Sequence, residues 1–248
     1  MPLLEVKHVS KEFGGLVANN DVSFVLNERE VMGLIGPNGA GKTTLFNCIA
    51  GHFPVTRGQI VFDGQDVTAL KAFEVSRRGL ARTFQIFQAS GDLKVRENVM
   101  VGAFMHNPSR SKARAKAEAT LEFLGIADAG DHLMTELPVA QQKRVALATA
   151  LATDPKLLLL DEVAAGLNRS EIEDMVALIK QINTDKGVAV LLTEHMLEMV
   201  MVLSHRVIVL ESGRLIADGE PEAVVKDPEV IRAYLGDHLV SDEEAAHA

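Results

Sequence analysis

Residues 36–43 read GPNGAGKT and fill the pattern G-x-x-x-x-G-K-[ST] at every fixed position. These residue types suit the gripping of a chain of phosphates. Glycines let a short loop curl until successive backbone N–H groups point inward. A helix that starts where the loop ends adds about half a positive charge. Gly36, Pro37, Asn38, Gly39, Ala40 and Gly41 form the curl. Lys42 brings a full charge to the terminal phosphates, the Thr43 hydroxyl can ligate Mg²⁺, and Thr44 follows in the same turn. The expected ligand is a nucleoside triphosphate.

Three further stretches carry groups that such a ligand needs. LLLLDE, residues 157–162, is a strand buried by four leucines, with Asp161 emerging at its carboxyl end, where ligands of such sheets sit. Asp161 is placed to hold the Mg²⁺ shell, directly or through water, and Glu162 to polarise an attacking water. VAVLLTEH sets His195 just past another apolar strand, a neighbouring position from which a γ-phosphate contact is available. In RTFQIFQ, Gln85 or Gln88 offers an amide to metal and water.

The elements that must position these groups follow from periodicity. LLEVKHV and DVSFVL alternate like half-buried strands, and VMGLIG reads as a buried strand ahead of the loop. GKTTLFNCIAG reads as a helix closed by Gly51. GQIVFDGQDV returns to strand with Asp63-Gly64 as its turn. From about residue 95 to 152 helical spacing dominates, which predicts a helical insertion into a mixed sheet. Beyond 156, apolar strands alternate with helices and predict a mainly parallel sheet covered on both faces. Ser170 with Glu173 is expected to form the capping box of the helix SEIEDMVALIKQIN.

Composition narrows the class. The chain has 248 residues, 47% of them hydrophobic, enough for a sizeable core. A net charge of −9 with no Trp and one Tyr argues against a nucleic-acid partner. Cys48 is the single cysteine, so no intrachain disulfide and no Cys-rich zinc site is expected. Charges come too early for a signal peptide, and no apolar run approaches the ~20 residues of a membrane span. A cytoplasmic chain is expected, held at a membrane only through other chains.

With these motifs in this order, the chain resembles the ATP-binding subunits of ABC transporters from about residue 3 to about 236. GPNGAGKTT matches Walker A, LLLLDE matches Walker B, Gln85 fits the Q-loop and His195 the switch histidine. Phe13, in EFGGLVA, falls where the family carries an aromatic that stacks on adenine. FGGLVA, ARTFQ, AAGLN and VIRAYLGD together are similar to the branched-chain amino acid importer ATPases. The resemblance implies an α/β P-loop NTPase core with a mainly parallel central sheet, an antiparallel β portion at the N-terminus and a helical subdomain inserted over about 90–152. The ATPase domain is expected to span 1–236, with 237–248 as an acidic flexible tail. The resemblance also implies ATP and Mg²⁺ as cofactors, with Thr43, Gln85 and Asp161 at the metal and Glu162, His195 and Gln85 in catalysis. The implied partners are a second ABC ATPase, two permease subunits and, indirectly, a solute-binding protein, with the chain peripheral on the inner face of the membrane.

One stretch departs from the family. Where relatives read LSGGQ, this chain reads Leu137-Pro138-Val139-Ala140-Gln141. That loop closes over the γ-phosphate held by the other subunit. Pro138 removes a hydroxyl and a backbone N–H, and Val139 and Ala140 bring Cβ atoms where glycines allow close approach. Hydrogen bonds to a charged group contribute about 1.5–3 kcal/mol each, so losing two weakens closure by roughly two to four powers of ten. The helix dipole survives, as do the N–H groups of Val139 and Ala140. An unequal ATPase pair is the expectation. Val163 and Asn168 also depart, standing where many relatives have Pro and Asp. A lipid or lipopolysaccharide exporter ATPase, a non-transport ABC ATPase and a P-loop kinase are the alternative readings.

Overall fold

The computed structural model describes residues 1–83 and 92–234. In chain order its elements are β1 (Pro2–Phe13), β2 (Leu16–Asn27), β3 (Val31–Ile35), α1 (Lys42–Ile49), β4 (Arg57–Phe62), β5 (Gln65–Asp66), α2 (Ala72–Arg77), β6 (Leu80–Arg82), α3 (Val95–Ala103) and α4 (Arg110–Phe123). There follow α5 (Val139–Leu151), β7 (Leu157–Asp161), α6 (Arg169–Lys186), β8 (Ala189–Thr193), α7 (Leu197–Leu203), β9 (Arg206–Glu211), β10 (Arg214–Gly219) and α8 (Pro221–Val224). The described residues fall into two compact units: residues 1–72 with 191–234, and residues 73–83 with 92–190.

The first unit holds an antiparallel sheet of order β2-β1-β4-β5. Its alternating residues bury one face: Leu4, Val6, Val9, Val22, Phe24 and Leu26 are all 5% exposed or less. Asp63 and Gly64 both take positive φ, so the β4–β5 connection is the tight turn the sequence announces. In the same unit β3 pairs in parallel with β9, and β9 pairs antiparallel with β10. Every residue of β3 is buried. Gly33 at its centre lets α7 lie against the strand, because a Cβ there would come 2.5 Å from Val200 Cγ1 and 2.9 Å from Ser204 Oγ. Arg206 ties β9 to β2 and to β10, donating from Nη1 to the Val25 carbonyl at 3.0 Å and pairing with Asp218.

In the second unit β6 and β7 are parallel neighbours, with Leu80 opposite Leu157 and Arg82 opposite Leu159. The helices α3, α4 and α5 pack together over Val95, Val99, Ala113, Ala117, Leu121, Val145 and Ala148. Small residues at the α4 contacts allow that close packing. The strands β6 and β10 and the short helices α2 and α8 had no sequence signal. The expected Ser170–Glu173 box is corrected by the structure. Asn168 is the N-cap: its N–H donates to Glu171 Oε2 at 2.8 Å, and its Oδ1 accepts from the Glu171 N–H at 3.0 Å. Asparagine leaves the helix backbone as readily as serine does, and the box forms two residues earlier. The acidic stretch 237–248 lies outside the described residues.

Cys48 is buried inside α1, and burial pushes its thiol up to about 11 against the opposing pull of the Lys11 ammonium. The neutral thiol is therefore the native form across the working range, and the stability tied to it, fully present below the ordinary thiol value of 9.0, is lost as pH rises from there through about 11. The native chain is expected to resist iodoacetamide at pH 8 for hours, and to react within minutes in guanidinium, as followed by mass spectrometry. Rapid labelling of the native chain would contradict the buried placement.

Candidate functional site

In the first unit the loop after β3 forms a cradle made by close backbone approach. Gly36 has φ 150 and Gly41 φ 100, a region side chains rarely enter. A Cβ on Gly36 would lie 2.1 Å from the Leu210 carbonyl oxygen, and one on Gly41 would lie 2.3 Å from that of Ala18. Pro37 O accepts from the Ala40 N–H at 3.2 Å, the Ala40 carbonyl accepts from the Gly213 N–H at 3.0 Å, and Asn19 Nδ2 donates to the Gly41 carbonyl at 3.2 Å. Lys42 opens α1 with its side chain folded back over the curl: Nζ donates to the Gly36 carbonyl at 2.6 Å and to that of Pro37 at 2.9 Å. Asn38, Gly39 and the Thr43 side chain face solvent, and Thr44 is half-buried. An ammonium held beside a tightly curled loop at a helix start is chemistry that suits an anion.

Phe13 ends β1 and is 42% exposed. The Lys11 ammonium stands 4.7 Å from its ring centre, and the Phe53 ring meets it edge-on at 5.5 Å. A braced, exposed ring can stack on a base. His195 stands exposed two residues beyond β8, between buried Glu194 and the N-cap of α7 at Met196.

In the second unit Asp161 ends β7 and is buried at 6% exposure. Its Oδ2 accepts from Arg82 Nη2 at 2.7 Å. Glu162 follows with φ 49, a left-handed conformation that costs a non-glycine residue about 1–3 kcal/mol. Lys143 Nζ donates to its carbonyl at 3.1 Å, one of the bonds that hold the bend. Val163 is buried behind it.

Pro138 is the N-cap of α5, with φ −58 and ψ 154, and Val139 is the first helical residue. Leu137 is buried and its carbonyl accepts from Gln142 Nε2 at 2.8 Å, so the turn is anchored from behind. Pro138, Val139 and Gln141 face solvent, with Ala140 half-buried. The N–H groups of this first turn precede the helix ladder, whose opening bond runs from the Gln142 N–H to the Pro138 carbonyl at 3.0 Å.

Residues 19–165 match the ABC transporter family, and residues 214–240 match the family described as branched-chain amino acid ATP-binding cassette transporter. The chain belongs to the ABC transporter family. It is the ATPase component of that architecture, an α/β P-loop NTPase with a mainly parallel sheet and an antiparallel one. The high-affinity branched-chain amino acid transport ATP-binding protein BraF of Pseudomonas aeruginosa is 37% identical over 95% of this chain and 98% of its own. LivG of Escherichia coli K12, of the same description, is also 37% identical over the same shares. The lipopolysaccharide export system ATP-binding protein LptB of Haemophilus influenzae is 35% identical over 96% of this chain and 99% of its own. Among solved structures, a nucleotide-free ATP-binding cassette from an ABC transporter superposes with a TM-score of 0.87 at 31% identity, covering 94% of this chain and 99% of that one. The ADP conformation of an ATP-binding cassette gives the same score and identity, over 95% and 99%.

The Thr43 hydroxyl in the first unit and the Asp161 carboxylate in the second are each oxygen donors of the kind that suits Mg²⁺ as a hard cation. Gln85, the expected third oxygen, and Gln88 lie outside the described residues. Four supporting side chains escaped the sequence: Asn19, which ties the cradle to β2; Lys11 and Phe53, which brace Phe13; and Arg82 beside Asp161. Only Asn19-Asn20, an unusual pair inside a strand, left a trace in the pattern.

The cradle yields a contrast in strain. Gly36→Ala is expected to cost at least ~2 kcal/mol of stability and to abolish nucleotide binding, since its new methyl meets backbone. Gly39→Ala meets nothing within 4 Å and is expected to cost only about 1 kcal/mol, from its φ. Thermal unfolding and titration with a fluorescent ATP analogue measure both, and equal losses would contradict the packing described here.

Proposed function

We propose that this chain is the ATP-binding and hydrolysing subunit of an importer for branched-chain amino acids or related small polar solutes, working in an unequal pair of ATPases. The observation that carries the first part is the Gly36–Thr43 cradle, with Lys42 Nζ folded over its carbonyls. The observation that carries the second is Pro138 at the cap of α5, where a hydroxyl donor would otherwise face a partner's nucleotide. The match over 214–240 and the identity with BraF and LivG support the solute class. The identity with LptB keeps a lipopolysaccharide exporter as the second reading.

In this reading Phe13 stacks on the adenine and the backbone N–H groups of 36–43 hold the phosphates. Lys42 leaves its carbonyl partners for the terminal phosphates. Thr43, Gln85 and Asp161 would hold Mg²⁺, which neutralises charge on the phosphate oxygens. Glu162 orients a water in line with the γ-phosphorus and draws its proton as the bond to the β-bridging oxygen breaks, giving ADP and phosphate. His195 steadies the transferring group. Positioning and charge stabilisation supply most of the acceleration. A second ATPase contributes the lid over this site, while LPVAQ lids the partner's site poorly. Two permease subunits convert closure and reopening into transport and hold the chain at the inner face of the membrane, and a solute-binding protein delivers the cargo. Among the described residues no helix is long and apolar enough to cross a membrane.

The test is two separate substitutions in the reconstituted assembly. Glu162→Gln here is expected to lower ATP turnover by at least about a hundredfold, and the equivalent change in the partner to lower it by less than about threefold. Equal losses would sink the asymmetry. Restoring Pro138→Ser, Val139→Gly and Ala140→Gly together is expected to raise turnover at the partner's site by roughly tenfold or more. Uptake of leucine into proteoliposomes, with no lipopolysaccharide extraction, separates the importer from the exporter.

A further inference from the structure

Arg82 ends β6 and Asp161 ends its parallel neighbour β7. The pairing register sets Arg82 opposite Leu159, two residues short of the strand end, so the guanidinium reaches along β7 to the carboxylate. Arg82 Nη2 donates to Asp161 Oδ2 at 2.7 Å, and each side chain is 7% exposed. A pair so deeply buried is a poor way to hold two strands together. Stripping water from both charges cancels most of their attraction, and two apolar side chains of the same size would serve as well. Thr83 already continues the ladder, donating its N–H to the Leu159 carbonyl at 3.0 Å. The pair needs a reason other than cohesion.

Asp161 is the carboxylate that the proposed function gives to Mg²⁺, and the inference rests on that reading. We propose that Arg82 is a positioning residue, a resident counter-cation that keeps the Asp161 carboxylate aimed while no metal is present and that a divalent cation must outcompete. With Oδ2 engaged, the carboxylate offers a reduced share of its lone pairs. A dication and a guanidinium held a few ångströms apart repel strongly even at the effective dielectric of a protein. The metal alone is therefore refused, and metal arriving with the negative charge of nucleotide phosphates is admitted. Arginine suits this better than lysine, because it stays charged when buried and its planar fork fixes the direction of the carboxylate.

The experiment measures metal binding to the nucleotide-free full-length chain, with Mn²⁺ as the probe and electron paramagnetic resonance reporting the free ion. Arg82→Met, which keeps the length and loses the charge, is expected to tighten Mn²⁺ binding by about tenfold or more, while affinity for a fluorescent ADP in EDTA stays as in the native chain. Arg82→Lys is expected to bind Mn²⁺ as weakly as the native chain, and Arg82→Met with Asp161→Asn to lose the gain. Unchanged or weaker Mn²⁺ binding in Arg82→Met overturns the proposal. Should that variant fail to fold, the native chain answers with ¹⁵N-labelled arginine. The Arg82 guanidinium protons, identified by their loss in Arg82→Lys, are expected to exchange slowly without metal and faster once Mg-ADP is bound. No change on adding Mg-ADP overturns the proposal too. Absence of any nucleotide binding would instead count against the proposed function, a result distinct from both.

Discussion

Backbone meeting backbone is the constraint on which the first unit depends. The cradle at 36–43 exists because the chain at Gly36 passes the carbonyl of Leu210, and at Gly41 that of Ala18, at distances no side chain permits. Two different sheets thus fix the two ends of one loop: β9 through Leu210 and β2 through Ala18. A curl of N–H groups is costly to preserve alone, because its donors prefer water to one another. Anchoring both ends, with Asn19 and the Gly213 N–H as further ties, holds the donors ready before any anion arrives.

The second unit meets the opposite problem, the holding of negative charge at the end of a buried strand. Four leucines bury β7 and leave Asp161 almost out of solvent, where a bare carboxylate is heavily penalised. The guanidinium of Arg82 offsets that penalty. Immediately beyond, Glu162 takes a left-handed backbone conformation that turns its side chain out of the strand's alternation. Lys143, from the second turn of α5, holds the carbonyl of that strained residue. The helix that begins with the divergent LPVAQ thereby also supports the bend at the acids.

What the sequence disclosed and what it hid divide by distance along the chain. The glycine-rich loop, the apolar strands and α1 with Gly51 beyond its end are local patterns that glycine and periodicity announce, whereas the helical spacing over about 95–152 gave no boundaries, and the structure divides that stretch into α3, α4 and α5. The capping box slipped by two residues, because Asn168-x-x-Glu171 and Ser170-x-x-Glu173 are overlapping patterns that only the start of α6 distinguishes. The strand β6 spans three residues, too few for alternation to register, and β10 follows β9 through a turn at Ser212-Gly213 that carries no hydrophobic run. Arg82 was invisible as a partner of Asp161 because 79 positions separate them, and the strand pairing that joins them has no local signature. The left-handed backbone at Glu162 was hidden too, for glutamate does not advertise that conformation.

Gly33 carries a mechanical consequence. With Val200 and Ser204 seated where its Cβ would be, β3 and α7 lie in contact without slack, and close-packed interiors transmit displacement rather than absorb it. The strand runs directly into the cradle, and the helix begins two residues after His195. Any shift of α7 along its axis must drag or tilt β3. The segment that follows His195 and the loop that follows β3 are therefore geared together as one stiff lever, and a bulkier residue at position 33 would act as a wedge driven between its two arms.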